Sequence, residues 1–198
     1  MPLLSVPNLL TLSRILAVPI VVATFYVAGD YARWFGCALF TAAAVTDWLE
    51  GHMARRWAQQ SEIGRFLDPI ADKLLVAATL FMLTTMGRLS AAAVFPALVI
   101  LCREILVSGL REYLAGLRVG LPVSKLAKWK TAIQMTAIGF LIVGNAGPAF
   151  LPVAGIGEML LWIAAMLTLV TGYDYLRAGL THMGREPAPR HGKPQQLV

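Results

Sequence analysis

The amino-acid sequence predicts an all-α integral membrane protein, six transmembrane helices in one bundle with the functional face on the cytoplasmic side. Three observations predict it. Of the 198 residues 58% are hydrophobic and only 14% are charged, with a mean hydropathy of +0.67; a soluble domain is usually about 25% charged, so this chain has too little polar surface to cover a globule in water. Apolar runs of about 20 residues, the length that crosses a bilayer, recur six times. Lysine and arginine gather on alternate connections between those runs. A chain of this length leaves no room for a separate soluble domain, so residues 1–180 read as one transmembrane domain and 181–198 as a polar cytoplasmic tail.

The elements follow in order. The opening "MPLLSVPNLLTLSR" lacks a basic leader and an evident cleavage site, so the first span, 8–28, is expected to stay as a helix, with 2–7 as a short interfacial piece. Gly29-Asp30 breaks the chain before a second span at 34–56. A short basic connection leads to a third span at 63–86, which Gly87 ends. The fourth runs over 90–115, up to the breakers from Gly116 to Pro122. The fifth, 127–146, gives way to "GNAGPAFLPVAGIG", and the sixth covers 156–179. The remainder, "THMGREPAPRHGKPQQLV", is polar and proline-rich and is expected to fray.

Charge fixes the orientation. Arg55, Arg56 and Arg65 lie between spans two and three; Arg118, Lys125, Lys128 and Lys130 lie around the start of span five; Arg177, Arg185, Arg190 and Lys193 approach or occupy the tail. The opposite connections carry only Arg33 and Arg88. Both termini should therefore face the cytoplasm. The net charge of +6 and pI near 9.7 do not indicate nucleic acid, because the cations form no reading surface; they suit anionic lipid head groups and phosphate ligands. Cys37 and Cys102 sit in apolar runs, read as buried small hydrophobes, and give no disulfide framework or thiolate metal spacing.

At the cytoplasmic ends of spans two and three stands "VTDWLEGHMARRWAQQSEIGRFLDPIADK", Val45 to Lys73. Asp47 and Glu50 are three apart, and Asp68 and Asp72 four apart, so each pair shares a helix face. Four carboxylates aimed into one low-dielectric space repel one another. A hard divalent cation, or a pair of them, neutralises such a set, and oxygen-only ligation without a His or Cys cluster favours Mg²⁺, Mn²⁺ or Ca²⁺ over zinc. Gly51 and Gly64 fit either close helix approach or room for a bulky ligand. Arg55 fits either a phosphate contact or a positive-inside charge.

With its spacings the stretch is Asp47-x₂-Glu50-Gly51-x₂-Ala54-Arg55-x₈-Gly64-x₃-Asp68-x₃-Asp72. It resembles the signature of the CDP-alcohol phosphotransferases, D-x₂-D-G-x₂-A-R-x₈-G-x₃-D-x₃-D. The flanking segments "PNLLTLSR", "REILVSGLREY" and "KLAKWKT" are similar to the bacterial branch of that family whose acceptor is sn-glycerol 3-phosphate. The departure is Glu50, where the family has Asp. Glutamate keeps the charge but sets it one methylene further out, against a Mg²⁺ geometry that tolerates little displacement.

The resemblance implies that residues 1–180 form a catalytic domain in a bacterial inner membrane. It moves a phosphatidyl group from CDP-diacylglycerol to sn-glycerol 3-phosphate, and CMP leaves. It implies two divalent ions, Mg²⁺ or Mn²⁺, held by Asp47, Glu50, Asp68 and Asp72. Asp72 is the implied base for the alcohol, with Asp68 as the fallback. Gly51, Ala54 and Gly64 would leave room for the nucleotide, Arg55 would pair with a phosphate, and a homodimer is expected. The acceptor's phosphate needs a basic site at the same face. Arg103 and Arg111, eight apart, point within about 80° of each other, and Lys128 and Lys130 begin span five. Internal pairing is the other role open to these cations, for Arg103 in the neighbourhood of Glu104. Arg14 fits either a phosphate or an acid, and Lys73 fits a simple offset of the carboxylates. Other acceptors (inositol phosphate, serine, phosphatidylglycerol) fit the same motif. A cation or proton transporter is the reading from another class, though it prefers mid-membrane acids and repeat symmetry.

Overall fold

The computed structural model describes residues 6–57, 62–116 and 125–183, with side chains at 9–46, 67, 69–116, 126–177 and 179–180. Within them are α1 (Val6–Thr24), α2 (Asp30–Trp57), α3 (Glu62–Thr85), α4 (Ala91–Gly116), α5 (Lys125–Val143) and α6 (Val153–Met183), with a 3₁₀ turn at Gly144–Ala146 after α5. No strand occurs among the described residues. The helices follow the six expected spans; α6 runs past the predicted end, and α5 stops earlier because Gly144 takes a left-handed φ of 50°. The interfacial piece expected at 2–7 falls largely outside the described residues, and the tail beyond Met183 wholly so.

Neighbour relations close the helices into a ring, in the order α1, α2, α5, α6, α4, α3 and back to α1. The joint between α3 and α4 is the sparsest of the six among the described residues. Sequence order and spatial order part company here: α1 packs against both α2 and α3, which among the described residues touch each other little. One apolar core runs through the ring, from Val21 and Phe40 through Leu75 and Leu83 to Ile100, Ile138 and Leu161.

Much of the exterior is apolar as well. Leu9, Leu12, Leu16 and Ile20 form an exposed stripe on α1, spaced three or four residues apart. Phe95, Leu98, Ile105 and Leu106 on α4 and Met159, Ile163, Met166 and Val170 on α6 continue it. Thr11, Arg14, Thr79, Lys130, Gln134, Thr168 and Thr171 are instead buried. Water does not tolerate an apolar surface that extensive on a monomer, and lipid does. By length and hydropathy, Ala91–Gly116 and Val153–Arg177 are helices able to cross a membrane, and Leu9–Thr24 is a shorter apolar one. The same outward face corrects one expectation: Cys102 is exposed rather than buried, because it lies on the outer side of α4, while Cys37 is half-buried; both thiols are free.

The end of the ring away from the acidic stretch is tied by arginines. Arg88 donates to the Ile142 carbonyl at 3.1 Å and lies 4.6 Å over the Phe25 ring. Arg33 donates to the Val143 carbonyl at 3.4 Å, and Trp34 Nε1 to Ala146 at 3.1 Å. These cations occupy carbonyls that the end of α5 leaves without helical donors, on the negative end of its dipole. Burial, and after it the neighbouring Arg33, lowers the Arg88 guanidinium below the ordinary arginine range. Gly87, at φ 62°, closes α3: its N–H reaches the Thr84 carbonyl and the Arg88 N–H reaches Leu83, the pair of bonds that a left-handed glycine makes possible. Ser90 then caps α4 through the Ala93 N–H, and Glu158 of α6 accepts from the Ser90 N–H at 2.7 Å and its hydroxyl at 2.9 Å.

Candidate active site

The burial pattern of three helices brings their charges to one place. On α3, Ala71 and Leu75 are fully buried while Ile70 and Leu74 are exposed, so Asp72 and Lys73 fall at the edge of the inner face. On α4, Ile100, Val107 and Leu114 recur at seven-residue steps as the core seam, and Arg103 and Glu104 lie one turn along it. On α5, Lys130, Gln134, Ile138 and Leu141 form the inner stripe. All of these charges lie toward the end of the ring opposite Arg33 and Arg88.

Two cavities meet at this cluster. The larger, about 1410 Å³, runs from Arg111, Lys128 and Tyr175 past Arg103 to an apolar far end at Trp34 and Phe140. The smaller, about 660 Å³, lies among α3, α4 and α5 and is lined by apolar side chains such as Leu74, Ile105 and Met135. Asp72, Lys73, Glu104 and Lys130, with Thr131 and Met135, line both, and so form their common wall.

Glu104 is the hub of that wall. The Lys130 ammonium, almost fully buried, donates to Glu104 Oε1. Lys73 Nζ stands 3.9 Å from Oε2, and Arg103 NH1 stands 3.6 Å from Oε1. Arg103 is braced against α6: its NH2 donates to Thr171 Oγ1 at 2.9 Å and its guanidinium lies 5.7 Å from the Tyr175 ring. Gly172 makes this possible, since a Cβ there would stand 3.1 Å from Arg103 Cγ. Thr171 in turn donates to the Leu167 carbonyl at 2.8 Å. Arg111 and Lys128 are exposed on the wall of the larger cavity. Asp72 is half-buried and lines both cavities together with Lys130.

Of the residues singled out in the sequence, Asp72, Arg103, Arg111, Lys128 and Lys130 thus come together around one space. Arg103 and Lys130 do so paired to Glu104, the internal pairing left open above. Asp47, Glu50, Gly51, Ala54 and Arg55 belong to the last part of α2, and Gly64 and Asp68 to the first part of α3; their side chains lie outside the described residues. Among the described residues no three His, Cys, Asp or Glu side chains gather as a metal site. Arg14 is fully buried on α1. Glu104 and Lys73 are wall residues that motif spacing does not single out. An acid inside an apolar span is itself a functional signal, and Glu104 carries that signal.

Residues 4–170 match the family model described as CDP-alcohol phosphatidyltransferase. The chain is 46% identical over 174 residues to a Rickettsia bellii protein named CDP-diacylglycerol--glycerol-3-phosphate 3-phosphatidyltransferase, covering 88% of this chain and 94% of that one. A Cereibacter sphaeroides protein of the same name is 39% identical over 92% of this chain and 98% of its own length. A protein of Oryza sativa named cardiolipin synthase (CMP-forming) is also 39% identical, over 88% of this chain and 57% of its own.

Proposed function

The chain belongs to the CDP-alcohol phosphatidyltransferase family, and from that premise we propose that it transfers the phosphatidyl group of CDP-diacylglycerol to the hydroxyl of sn-glycerol 3-phosphate, giving phosphatidylglycerophosphate and CMP. The observation that carries this reading is the likeness, over 88% and 92% of the chain, to proteins named for that reaction. The site's form supports it. A cavity with cations at one end and apolar walls at the other suits a lipid that bears phosphates.

The residues divide the work. Asp47, Glu50, Asp68 and Asp72 would hold Mg²⁺ or Mn²⁺, two ions, whose chemistry when bound is to neutralise the donor's diphosphate. The donor set fits such an ion, being all carboxylate oxygen, and Asp72 stands on the cavity wall. Gly51, Ala54 and Gly64 leave space for the nucleotide, and Arg55 pairs with a phosphate. Arg111 and Lys128 take the acceptor's phosphate, with Arg103 and Lys130 behind them. Asp72, or Asp68 in its place, accepts the hydroxyl proton as the new P–O bond forms and the bond to CMP breaks. Residues 1–180 act as the catalytic unit, with six spans in a bacterial inner membrane, both termini in the cytoplasm and 181–198 as a tail. The working form is a homodimer.

One second reading has an observation behind it: a rice relative is named cardiolipin synthase (CMP-forming), and phosphatidylglycerol, one of the acceptors that fit the motif, is the alternative. The test is CMP release by purified protein given CDP-diacylglycerol, Mg²⁺ or Mn²⁺, and a panel of alcohols. Release with glycerol 3-phosphate alone is the expected result. Release with phosphatidylglycerol, serine or inositol phosphate but never with glycerol 3-phosphate overturns the acceptor assignment.

A further inference from the structure

Glu104 is an odd residue for an anion-binding site. A carboxylate there repels the phosphates that the neighbouring cations attract. Yet it is mostly buried, and Lys130, Lys73 and Arg103 all converge on it. Three cations gathered in a low-dielectric wall repel one another, and a charge buried there is unfavourable without a partner. Among the described residues on the two cavity walls, only Asp72, Glu104 and Glu112 are acidic. Asp72 belongs to the proposed metal set, and Glu112 is exposed.

We propose that Glu104 is a positioning residue that acts as a resident counter-ion: it holds the ammonium groups of Lys130 and Lys73 at the wall between the two cavities while the site is empty, and it limits how tightly the site grips a phosphate. The first role follows from the contacts. Lys130 gives one of its three donors to Glu104, and its ammonium stands on the wall of both cavities. The second follows from charge. An arriving dianion meets cations already partly neutralised, so the product anion also leaves readily. The inference rests on the transfer reading for the identity of its phosphate, but not for its test.

The test begins with inorganic phosphate, titrated calorimetrically into the full-length protein in detergent without donor. Glu104→Gln keeps the shape and an oxygen for Lys130 but removes the charge. It is expected to bind phosphate about tenfold more tightly, while Glu104→Asp stays within about twofold of the native protein. In turnover, Glu104→Gln is expected to lower KM for glycerol 3-phosphate and to lower kcat by about tenfold, binding gained in the ground state and lost from the rate. A purely structural role would reduce the amount of folded protein and leave the phosphate affinity of the remainder unchanged. Unchanged or weaker binding by Glu104→Gln overturns the proposal. If that variant does not fold, Glu104→Gln with Lys130→Gln keeps the formal charge of the site. It is expected to bind phosphate about tenfold more tightly than Lys130→Gln alone, and equal binding by the two overturns the proposal. If the native protein releases no CMP with glycerol 3-phosphate, the transfer reading fails while the phosphate titration still decides the role of Glu104.

Discussion

At the scale of single residues, two carboxylates make opposite predictions. Asp72→Asn removes the proposed base while keeping size and polarity. Turnover should fall by about 10²–10⁴-fold, the usual worth of a positioned general base, with the protein still eluting as folded material; a loss of less than tenfold would pass the role to Asp68. Glu50→Asp should preserve or raise turnover, because it returns the carboxylate to the distance the family signature implies. If that swap abolished CMP release, Glu50 would not stand among the metal ligands. Asp72, Arg111 and Lys128 were legible in the sequence, since spacing and charge asymmetry alone set them at one face of the bundle. The pairing of Lys130 to Glu104 was not: it joins α5 to α4 across 26 positions, and no helical periodicity reports which side chain of one helix meets which of another.

Among the elements, α5 is tied to its neighbours by charged side chains at both ends. Its carbonyl end is closed by Arg33 and Arg88, far from the charged wall at its start. Arg88→Leu should cost about 1–3 kcal/mol, the worth of leaving a buried partner without its charged hydrogen bond. The measurement is a lower thermal midpoint in detergent with KM for glycerol 3-phosphate unchanged. A changed KM with an unchanged midpoint would mean that the two ends of α5 are coupled in a way the packing does not reveal. The breaks after α1, α3 and α5 could be read from Gly29, Gly87 and the run after Val143, where the backbone turns left-handed. The ring order could not, because α1 comes first in the chain yet packs against both α2 and α3. An apolar stripe says that a helix has a neighbour without saying which one.

For the whole molecule, the decisive contrast is an apolar outside around a charged wall. Removing divalent metal with a chelator should abolish CMP release and leave the helical circular dichroism unchanged, since the bundle rests on packing among α1 to α6. Activity should return with Mg²⁺ or Mn²⁺ and not with Zn²⁺, which prefers nitrogen and sulfur ligands. Full turnover after exhaustive chelation would remove the metal from the account.

The joint between α3 and α4, sparse among the described residues, has a mechanical consequence. A hoop with one weak seam yields there first, and this seam borders the wall that carries Asp72 and Glu104. Small, penetrating detergents should prise the two helices apart and silence the enzyme before any helix melts, whereas a lipid nanodisc should hold the hoop shut. Equal survival of turnover in both surroundings would show the seam to be as strong as its neighbours.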